Sequence, residues 1–536
     1  MSKIVAWTSS SSSDSQPRAN AGRAPLREAP APEVFSAGIP SISEVGPSPE
    51  GTIVAAHRPR RARRGAPNLP MIQTLIGAVS LAAALVSTIH LLLRYRNPTA
   101  AIAWIFAVWF IPILGALLYL MFAVYEGPRK IRRRLRLSRQ LRRSDDRGRH
   151  RTGLSTELPR SALDSLAERA GALSMTAGNE VRLHADPEEA RSAFLDMVRS
   201  ARTEVLVETY IFTDDSFSNE LAELLVERAS EGVRVHVLVD GVGTRLTQGG
   251  VMETLSHPGI ACARFLPPNP LKARFQINFR NHRKLLVVDG LSAITGGRNC
   301  DERYFHERAG GRRDLSVSIA GPAVAALRAI FTEDWLVATE GERLGPLPIP
   351  EPVGISHVRV IPHGCDEPRD AYVPILSAAI RSAQTSVLIV TPYFVPGNEM
   401  LHDLYMTALS GVHVCLLVPE HSPERLPEFA ARYYFEKLLA VGVEIRVRPE
   451  PFLHAKAVVV DDRWAMVGSA NFDQRSFSLN YELSCEVADP DFAAAVAAYF
   501  QPDLEAAEAV ELEPFKQRGW NKRALENAAN LLAPIL

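Results

Sequence analysis

The sequence has little cysteine, and its cysteines do not pair. Five occur among 536 residues, scattered and without a Cys-x-x-Cys pair: Cys262, Cys300, Cys365, Cys415 and Cys485. This distribution excludes a disulfide scaffold and a cysteine zinc site, and it is typical of a reducing compartment. The HExxH signature of zinc hydrolases is also missing.

Net charge is absent from the chain as a whole, but its distribution is uneven. Residues 1–150 contain 22 Lys and Arg against 8 Asp and Glu, whereas residues 151–536 contain 38 against 52. A basic front on an acidic body indicates orientation towards an anionic surface, and it argues against a nucleic-acid footprint spread over the whole chain. The 46% of hydrophobic residues excludes a chain disordered throughout, and the length allows about three or four domains.

Residues 1–69 are poor in large apolar residues and rich in Ser, Pro, Ala and Gly. Such a segment cannot bury enough apolar surface to offset its ordering entropy, so we expect a disordered tail. It contains no secretory signal peptide. Its role, and whether translation starts at Met71, stay open.

Two long apolar stretches follow, at Met71–Leu93 and Ala100–Tyr125, separated by a short polar turn. As helices, each would reach about 34 to 39 Å, enough to cross a bilayer core of about 30 Å. They predict a two-helix transmembrane hairpin over residues 70–126; the alternative is a pair of buried helices in a soluble core. Arginines 58–64 and nine Lys and Arg within Arg129–Arg143 flank the hairpin, whereas the turn has only Arg94 and Arg96. The positive-inside rule then predicts a bacterial inner-membrane protein with both termini and the body in the cytoplasm.

After a basic juxtamembrane linker over residues 127–180, expected to lie against anionic headgroups, the chain repeats itself. Ser200–Val205 and Ser382–Val387 each open an apolar run, preceded and followed by helical patterns and then by a β-branched strand. This alternation predicts an α/β fold with two lobes of mixed sheet flanked by helices, over residues 181–345 and 346–510. The pattern of residues 511–536 predicts a C-terminal amphipathic helix. Packing of its apolar face on the body is a simpler explanation of that pattern than membrane contact.

The repeat ends in a motif that occurs twice, 172 residues apart. Both copies read His-x-Lys-x4-Asp-x6-Gly-Gly/Ser-x-Asn: His282, Lys284, Asp289, Gly296, Gly297 and Asn299 in the first, and His454, Lys456, Asp461, Gly468, Ser469 and Asn471 in the second. One copy would be a weak signal. Two copies at matching places in a repeat indicate a built site.

The spacing indicates an anion site with two histidines. Side chains alternate along a strand, so His282 and Lys284 point to the same face, as do His454 and Lys456. A buried lysine is costly without an anion, so the same arrangement in both halves indicates a ligand shared in a central cleft. The glycines allow a close backbone approach and would leave Asn299 and Asn471 free to donate hydrogen bonds.

These groups suit phosphoryl transfer at a diester. One histidine would attack phosphorus, and the other would protonate the leaving alkoxide and then deprotonate the incoming nucleophile. Two lysines and two asparagines would stabilise the transition state without a metal. A zinc site is the rival explanation for paired histidines, but neighbouring ammonium groups would repel a cation.

Because of these two motifs, the segment 71–536 resembles bacterial cardiolipin synthases of the phospholipase D superfamily, whose members carry two His-Lys-Asp motifs. Further family-like stretches are Asn97–Trp104, Gly115–Leu120, Phe279–Lys284, Thr391–Pro396, Phe452–Lys456 and Val467–Ser476. The segment Ile361–Asp366 departs from the family by having His363 and Cys365, and the front of the chain is unusually long.

The resemblance implies a role for each site residue. His282 and His454 would be the nucleophile and the general acid/base, and the family favours His282 as the nucleophile. Lys284, Lys456, Asn299 and Asn471 would bind phosphate. Asp314 and Glu482 would orient the histidines. Asp289 and Asp461 complete the motif and are grouped here with the catalytic residues, although in the family they tend to support structure.

The function that follows is transfer of a phosphatidyl group between two phosphatidylglycerol molecules through a phosphohistidine, with release of glycerol. No metal, cofactor or nucleic acid is expected, and the partners are phosphatidylglycerol and other anionic membrane lipids. The rivals are a phospholipid hydrolase, a transphosphatidylase with another alcohol acceptor, a nuclease and a catalytically dead membrane scaffold. Residue patterns alone leave the acyl-chain preference, the oligomeric state and the choice of attacking histidine undecided.

Overall fold

The predicted repeat forms two matching lobes of one mixed sheet in the computed structural model, which describes residues 69–94, 98–122, 161–244, 249–267, 279–306, 310–345, 347–364 and 371–533. The predicted disordered tail up to residue 68, residues 123–160 of the basic segment and Cys365 lie outside the described residues.

The first lobe alternates strands and helices in chain order. Its strands are β1 (Thr176–His184), β2 (Glu204–Thr209), β3 (Arg234–Asp240), β4 (Ile260–Phe265), β5 (Leu285–Val288), β6 (Ser292–Gly296), β7 (Arg312–Arg313) and β8 (Ser316–Ala320). Its helices are α5 (Pro187–Arg199), α6 (Ser216–Ser230), α7 (Gly250–Thr254) and α8 (Ala323–Ala338). Aspartates cap two of these helices: the side chains of Asp186 and Asp215 accept hydrogen bonds from the first turns of α5 and α6.

The second lobe repeats this order. Its strands are β9 (Ser356–His363), β10 (Ser386–Val390), β11 (Phe394–Val395), β12 (His413–Pro419), β13 (Glu444–Arg448), β14 (Phe452–Leu453), β15 (Ala457–Val460), β16 (Trp464–Gly468), β17 (Phe472–Asp473), β18 (Glu482–Ala488) and β19 (Glu508–Ala509). Its helices are α9 (Tyr372–Ser382), α10 (Gly397–Leu409), α11 (Arg425–Leu439), α12 (Gln474–Ser478), α13 (Pro490–Ala506), α14 (Leu512–Lys516) and α15 (Trp520–Asn530).

The two lobes share one strand order. In the sheet of 15 strands the order β1-β8-β6-β5-β2-β3-β4 on one side mirrors β9-β18-β16-β15-β10-β12-β13 on the other, with β19 at that edge. The central pair, β1 and β9, is antiparallel; the pairs β2–β3, β3–β4, β10–β12 and β12–β13 are parallel. The predicted mixed α/β fold is therefore confirmed.

Buried strands explain how the motif is held. Strands β5 and β15, which directly follow the two His-x-Lys pairs, are buried along their whole length because both faces of the sheet are covered by helices. Helix α15 packs on α11 and buries Glu526 and Ala529 while Trp520 stays exposed.

The end of the predicted linker is ordered. Helix α4 (Ala162–Ala170) begins at a capping box formed by Ser161 and Asp164 and ends at Gly171 in the left-handed conformation. Ala167 of this helix is fully buried in the core of the second lobe. Residues 162–170 are therefore part of the body, and β1 begins within the predicted linker at Thr176.

Within residues 69–94 and 98–122, the described part of the apolar front, one helix is long enough to cross a membrane. Helix α1 (Leu69–Arg94) includes the 22-residue apolar segment Ile72–Leu93. Its interior face packs on the helices that follow, where Nδ1 of His90 and the hydroxyl of Tyr119 lie 2.5 Å apart.

The second apolar stretch differs from the single straight helix that the sequence predicts. It forms α2 (Pro98–Phe110) and α3 (Pro112–Phe122), which bend at Ile111 because proline has no amide hydrogen to continue a helical ladder. The bend is sharp: a Cβ atom on Gly115 would lie 2.1 Å from the carbonyl oxygen of Ala107. Neither α2 nor α3 alone reaches the length of a bilayer core at about 1.5 Å per residue.

Candidate active site

The two motif histidines are each held by backbone from the opposite lobe. The amide of His282 donates to the carbonyl of Tyr481, 2.8 Å away, and the amide of Tyr481 donates to the carbonyl of Arg280. On the other side, the amide of His454 donates to the carbonyl of Arg313 at 2.8 Å, where β14 pairs with β7 in parallel. The two segments thus meet across the lobe boundary.

Each motif histidine also contacts a carboxylate from the opposite lobe. Nδ1 of His282 lies 2.9 Å from Oε2 of Glu482, and Nδ1 of His454 lies 2.6 Å from Oδ2 of Asp314. Each carboxylate belongs to the lobe that does not carry its histidine. The structure therefore brings together the predicted orienting residues with their histidines, and it adds the crossed pairing that the sequence left undetermined.

Both carboxylates are fully buried, yet they are held ionised. Burial alone would raise the pKa of Asp314, but the Lys456 ammonium and the hydrogen bond from His454 lower it to about 2. Burial likewise opposes ionisation of Glu482, whereas His282 and Lys284 lower its pKa to about 2. An ionised carboxylate can only accept a hydrogen bond, so each neutral histidine carries its proton on Nδ1 and presents a lone pair on Nε2.

Glu482 has three further partners, which position its carboxylate for His282. Ser469 donates to it at 2.5 Å, Ser476 at 3.1 Å and the side-chain amide of Asn480 at 3.1 Å. Sequence reasoning did not assign these roles, although Ser469 lies inside the second motif. Its replacement of glycine at this motif position was the available signal.

The motif glycines allow this close packing. A Cβ atom on Gly297 would lie 2.2 Å from an oxygen of Asp314, and one on Gly468 would lie 2.4 Å from the carbonyl oxygen of Leu483. Their function is therefore the predicted close approach, but the approaching groups are the segments that carry Asp314 and Glu482.

The lysines are buried beside the histidines. Nζ of Lys284 donates to the carbonyl of His282 at 2.7 Å, and Nζ of Lys456 contacts the carbonyl of His454 and lies 2.8 Å from Nδ1 and 3.1 Å from Nε2 of that ring. Burial lowers the pKa of Lys284 well below its usual value and that of Lys456 to about 8. The Lys456 ammonium also lowers the pKa of Lys284, and both ammonium groups lower the pKa of His282. The pocket therefore favours binding of an anion.

Burial also lowers the pKa of both histidines, that of His454 to well below its usual value. For His282 the Lys284 ammonium acts in the same direction and Glu482 opposes it; for His454 Lys456 lowers the pKa and Asp314 raises it. Both rings are therefore neutral in the free protein near neutral pH. An anion bound between the ammonium groups would raise these pKa values and favour a protonated acid.

The two motif asparagines differ. The side-chain oxygen of Asn299 accepts a hydrogen bond from the Ile211 amide at 3.3 Å, and its nitrogen donates to the hydroxyl of Tyr304 at 2.9 Å. The side-chain oxygen of Asn471 is buried and has no hydrogen-bond partner in the part of the chain that the structure describes. An amide binds phosphate through its NH2 group, and the unpaired atom of Asn471 is an acceptor, so direct phosphate binding by both asparagines stays a prediction.

The motif aspartates lie outside the site, which corrects their grouping with the catalytic residues. Asp289 follows β5, at the end remote from His282, and accepts hydrogen bonds from the amides of Arg202, Thr203 and Glu204. Asp461 follows β15 and accepts from the amides of residues 384–386 in the same way. Each aspartate joins the end of its own strand to the start of the neighbouring strand. The first amides of that neighbouring strand need hydrogen-bond acceptors, and the aspartate supplies them.

A buried polar network lies behind the first motif. Asn281 donates to Glu208 at 2.5 Å, and Arg283 contacts Asp334 and donates from Nε to the carbonyl of Glu482 at 3.0 Å. Burial and the neighbouring Asp334 raise the pKa of Glu208 well above its usual value. This network connects the first motif to the strand that carries Glu482 and thereby supports the site from behind.

His363, the departure noted in the sequence, is buried and stacks on Tyr372 with ring centroids 4.1 Å apart. Burial and the Arg283 guanidinium lower its pKa to about 3, so it is a neutral core residue. Among the residues placed by the structure, no three His, Cys, Asp or Glu side chains form a group that could hold a metal ion.

Two family models match the chain. The model described as "Cardiolipin synthase, PLD-like domain" matches residues 194–335 and 376–504, which contain both motifs. The model described as "Phospholipase_D-nuclease N-terminal" matches residues 82–123.

Similar proteins cover most of the chain. Cardiolipin synthase 2 of Bacillus anthracis is 31% identical over 453 residues, which are 83% of this chain and 88% of that protein. Cardiolipin synthase A of Pseudomonas entomophila is 32% identical over 471 residues, 86% of this chain and 98% of that protein. Among solved structures, the phosphatidylserine synthase of Haemophilus influenzae matches with a TM-score of 0.55 at 16% identity, covering 70% of this chain and all of that one, which shows the fold alone.

Proposed function

This chain belongs to the cardiolipin synthase family of the phospholipase D superfamily, and from that premise we propose how its residues share the work of phosphatidyl transfer. The chain is a phosphatidyltransferase with cardiolipin synthase function. Its substrates are phospholipids. The donor and the acceptor are both phosphatidylglycerol, and the product pair is cardiolipin and glycerol.

In the first half-reaction, Nε2 of His282 attacks the phosphorus of one phosphatidylglycerol. The bond from phosphorus to the oxygen of the headgroup glycerol breaks, and protonated His454 gives its proton to that oxygen. Lys284 and Lys456 hold the phosphate oxygens, and Asn471 donates to the same group. The enzyme is left with a phosphatidyl group on His282 and a neutral His454.

In the second half-reaction, neutral His454 takes the proton from the terminal hydroxyl of a second phosphatidylglycerol. That oxygen attacks phosphorus, the bond to His282 breaks, and cardiolipin leaves. His454 is again protonated and His282 again neutral, so the cycle closes without a metal or an outside reductant.

The crossed carboxylates are the observation that carries this proposal. Glu482 holds His282 and Asp314 holds His454, so two lobes that each have half of the chemistry supply one site. A pair of isolated core histidines would have no need for an ionised carboxylate from the opposite lobe. Both lysines accompany the histidines, and neither copy of the motif has lost a residue.

The assay uses the full-length enzyme in mixed micelles of phosphatidylglycerol with EDTA present, and mass spectrometry quantifies the lipids. We expect cardiolipin and glycerol in equal amounts. His282→Ala should lose this activity, and His402→Ala, which changes an exposed histidine, should keep it. Glycerol accompanied by phosphatidic acid would instead indicate a hydrolase, and loss of activity with EDTA would contradict the metal-free chemistry.

We also propose that the apolar front anchors the enzyme in the bacterial cell membrane with both termini and the catalytic body in the cytoplasm. Helix α1 supplies one span, and the charge flanks support the orientation, since the turn between the apolar stretches holds two arginines and the segment Arg129–Arg143 holds nine Lys and Arg. The bent pair α2 and α3 would have to open to complete a second crossing.

A reporter fused after Leu536 tests this topology. A reporter active only in the cytoplasm is the expected result. A reporter active only outside the cytoplasm would mean that α2 and α3 enter and leave the membrane on the same face. The residues before α2 and after α3 would then lie on one side of the membrane. A fusion at Asn97 serves as the matched control and should report the opposite side from the C-terminal fusion.

A further inference from the structure

Tyr304 is a fully buried residue in direct contact with the second motif histidine. It ends the 3-10 turn Glu302–Tyr304, whose first residue follows the capping Asp301. Its ring meets the His454 ring edge to face, with centroids 5.2 Å apart, and its hydroxyl oxygen lies 3.5 Å from Nε2 of His454. Nε2 is the nitrogen that must exchange a proton with substrate.

The hydrogen bonds around the hydroxyl fix its direction. Nδ2 of Asn299 and Nη1 of Arg312 both donate to the phenol oxygen at 2.9 Å. With two donors directed at the oxygen, its own hydrogen needs an acceptor. The acceptor that the described residues offer is Nε2 of His454, which carries a lone pair because Nδ1 donates to the Asp314 carboxylate; Nζ of Lys456 lies 3.1 Å from the same nitrogen and shares it.

The ring contact is repeated in the other half, where Tyr210 meets the His282 ring edge to face with centroids also 5.2 Å apart, but the hydroxyl contact with Nε2 is seen for Tyr304 alone among the described residues. Tyr304 lies five residues after Asn299, and the residue five positions after Asn471 is Ser476. Ser476 donates to Glu482 and so supports His282 only through its carboxylate. The same motif position therefore touches the reactive nitrogen of one histidine and the orienting carboxylate of the other.

We infer that Tyr304 is a positioning residue that donates its hydroxyl hydrogen to Nε2 of His454 and thereby makes the two motif histidines chemically unequal. The groups of the described chain that act on His454 are Asp314 from the opposite lobe, Lys456 from its own strand, Arg312 beside Phe452, and Tyr304. Burial raises the pKa of Tyr304 to about 12, so its hydroxyl keeps its proton throughout the working range of pH.

This inference rests on the proposed function and deepens it. A donor directed at Nε2 stabilises neutral His454, so it makes the protonated ring a stronger acid towards the leaving glycerol oxygen. When the acceptor alcohol enters, its hydroxyl replaces the phenol at Nε2 and gives up its proton there. Tyr304 itself forms no bond to substrate and exchanges no proton.

The first test compares Tyr304→Phe with wild type by the pH dependence of kcat/KM. If His454 is the acid, its pKa sets the alkaline limb. Loss of one donor to neutral Nε2 should raise that limb by about half to one pH unit, the usual net effect of one hydrogen bond. Tyr499→Phe is the matched control, since the Tyr499 hydroxyl donates to the backbone carbonyl of Asp314 and not to the imidazole. It should move neither limb.

A second variant keeps the buried ring and its donors in place. Fluorotyrosine incorporated at position 304 has a more acidic phenol, donates more strongly, and should move the alkaline limb downwards. Opposite shifts for the two variants support the inference, whereas unmoved limbs in both would overturn it. If the acidic limb moves instead, Tyr304 is still coupled to His454, but the order of roles in the proposed function is reversed. Absence of cardiolipin formation in the wild type would overturn the proposed function alone.

Discussion

At the scale of single residues, the site is a cluster of buried groups, and burial opposes the charged form of each of them. Lys456 is 3% exposed, and its pKa falls to about 8 although Asp314 and Glu482 attract its charge. A lowered pKa in the folded state means that folding is disfavoured while the lysine is charged. The charge of Lys456 therefore opposes folding, and we expect binding of an anionic substrate to be its function.

Lys456→Met should accordingly stabilise the free enzyme while abolishing its activity. The penalty of a lysine whose pKa falls from 10.5 to about 8 is on the order of 3 kcal/mol. It is complete below pH 8 and disappears as pH rises towards 10.5, so the gain in melting temperature should be largest near neutral pH and vanish above pH 10. Thermal unfolding of both proteins across this range provides the measurement. A melting temperature lowered at pH 7 would show that Lys456 stabilises the fold.

At the scale of elements, strand ends are fastened by the motif aspartates. Asp289 has a φ of +54° and Asp461 a φ of +53°, in the left-handed region that Asp and Asn tolerate better than most residues. Burial opposes ionisation of Asp289, but three backbone amides and the Thr203 hydroxyl lower its pKa. Its stabilisation is thus present above the unfolded pKa near 3.8 and is lost as pH falls through the lower folded value.

Asp289→Asn should lower stability without altering the chemistry. It keeps the left-handed backbone but replaces an acceptor with an amide, which should cost about 1 to 3 kcal/mol at pH 7. The deficit should shrink as pH falls below 3.8, and kcat/KM should keep both pH limbs. Urea unfolding at several pH values checks the first point and kinetics the second. Asp462→Asn, an exposed aspartate with a similar φ, is the control, and a displaced pH limb in Asp289→Asn would restore a catalytic role.

At the scale of the whole molecule, the candidate site is assembled from both lobes. The partners His282 and Glu482 are 200 residues apart, and Asp314 and His454 are 140 apart. The antiparallel pair β1 and β9 joins the lobes and sets their relative register. Because a carboxylate of the opposite lobe contacts each histidine, we expect removal of either histidine to disable the complete site.

Mixing two inactive full-length variants tests this arrangement. His282→Ala and His454→Ala should each lose nearly all activity, the double variant should be scarcely worse, and co-expression of the two single variants should restore none of it. Cardiolipin formation measured in the shared membrane is the readout, and each single variant co-expressed with wild type serves as the control. Recovered activity would mean that neighbouring chains exchange lobes to build a site.

Residue patterns were enough to predict the repeat and the mixed α/β fold, and they propose the residues of the anion pocket. They could do so because alternation along a strand places His and Lys on one face, and because a buried lysine demands an anion wherever it occurs. Length and hydropathy likewise identified the helix that could cross a membrane, but they could not show the bend at Ile111, where two helices fold back on each other.

Which groups meet in the site depends on contacts that form only in the folded chain. The pairing of Glu482 with His282 and of Asp314 with His454 depends on contacts between lobes, which no local pattern encodes. The same packing placed Asp289 at the far end of its strand and put the hydroxyl of Tyr304 against His454. Residue type and spacing specify what chemistry a segment can perform, whereas the register between distant strands selects the partners that perform it.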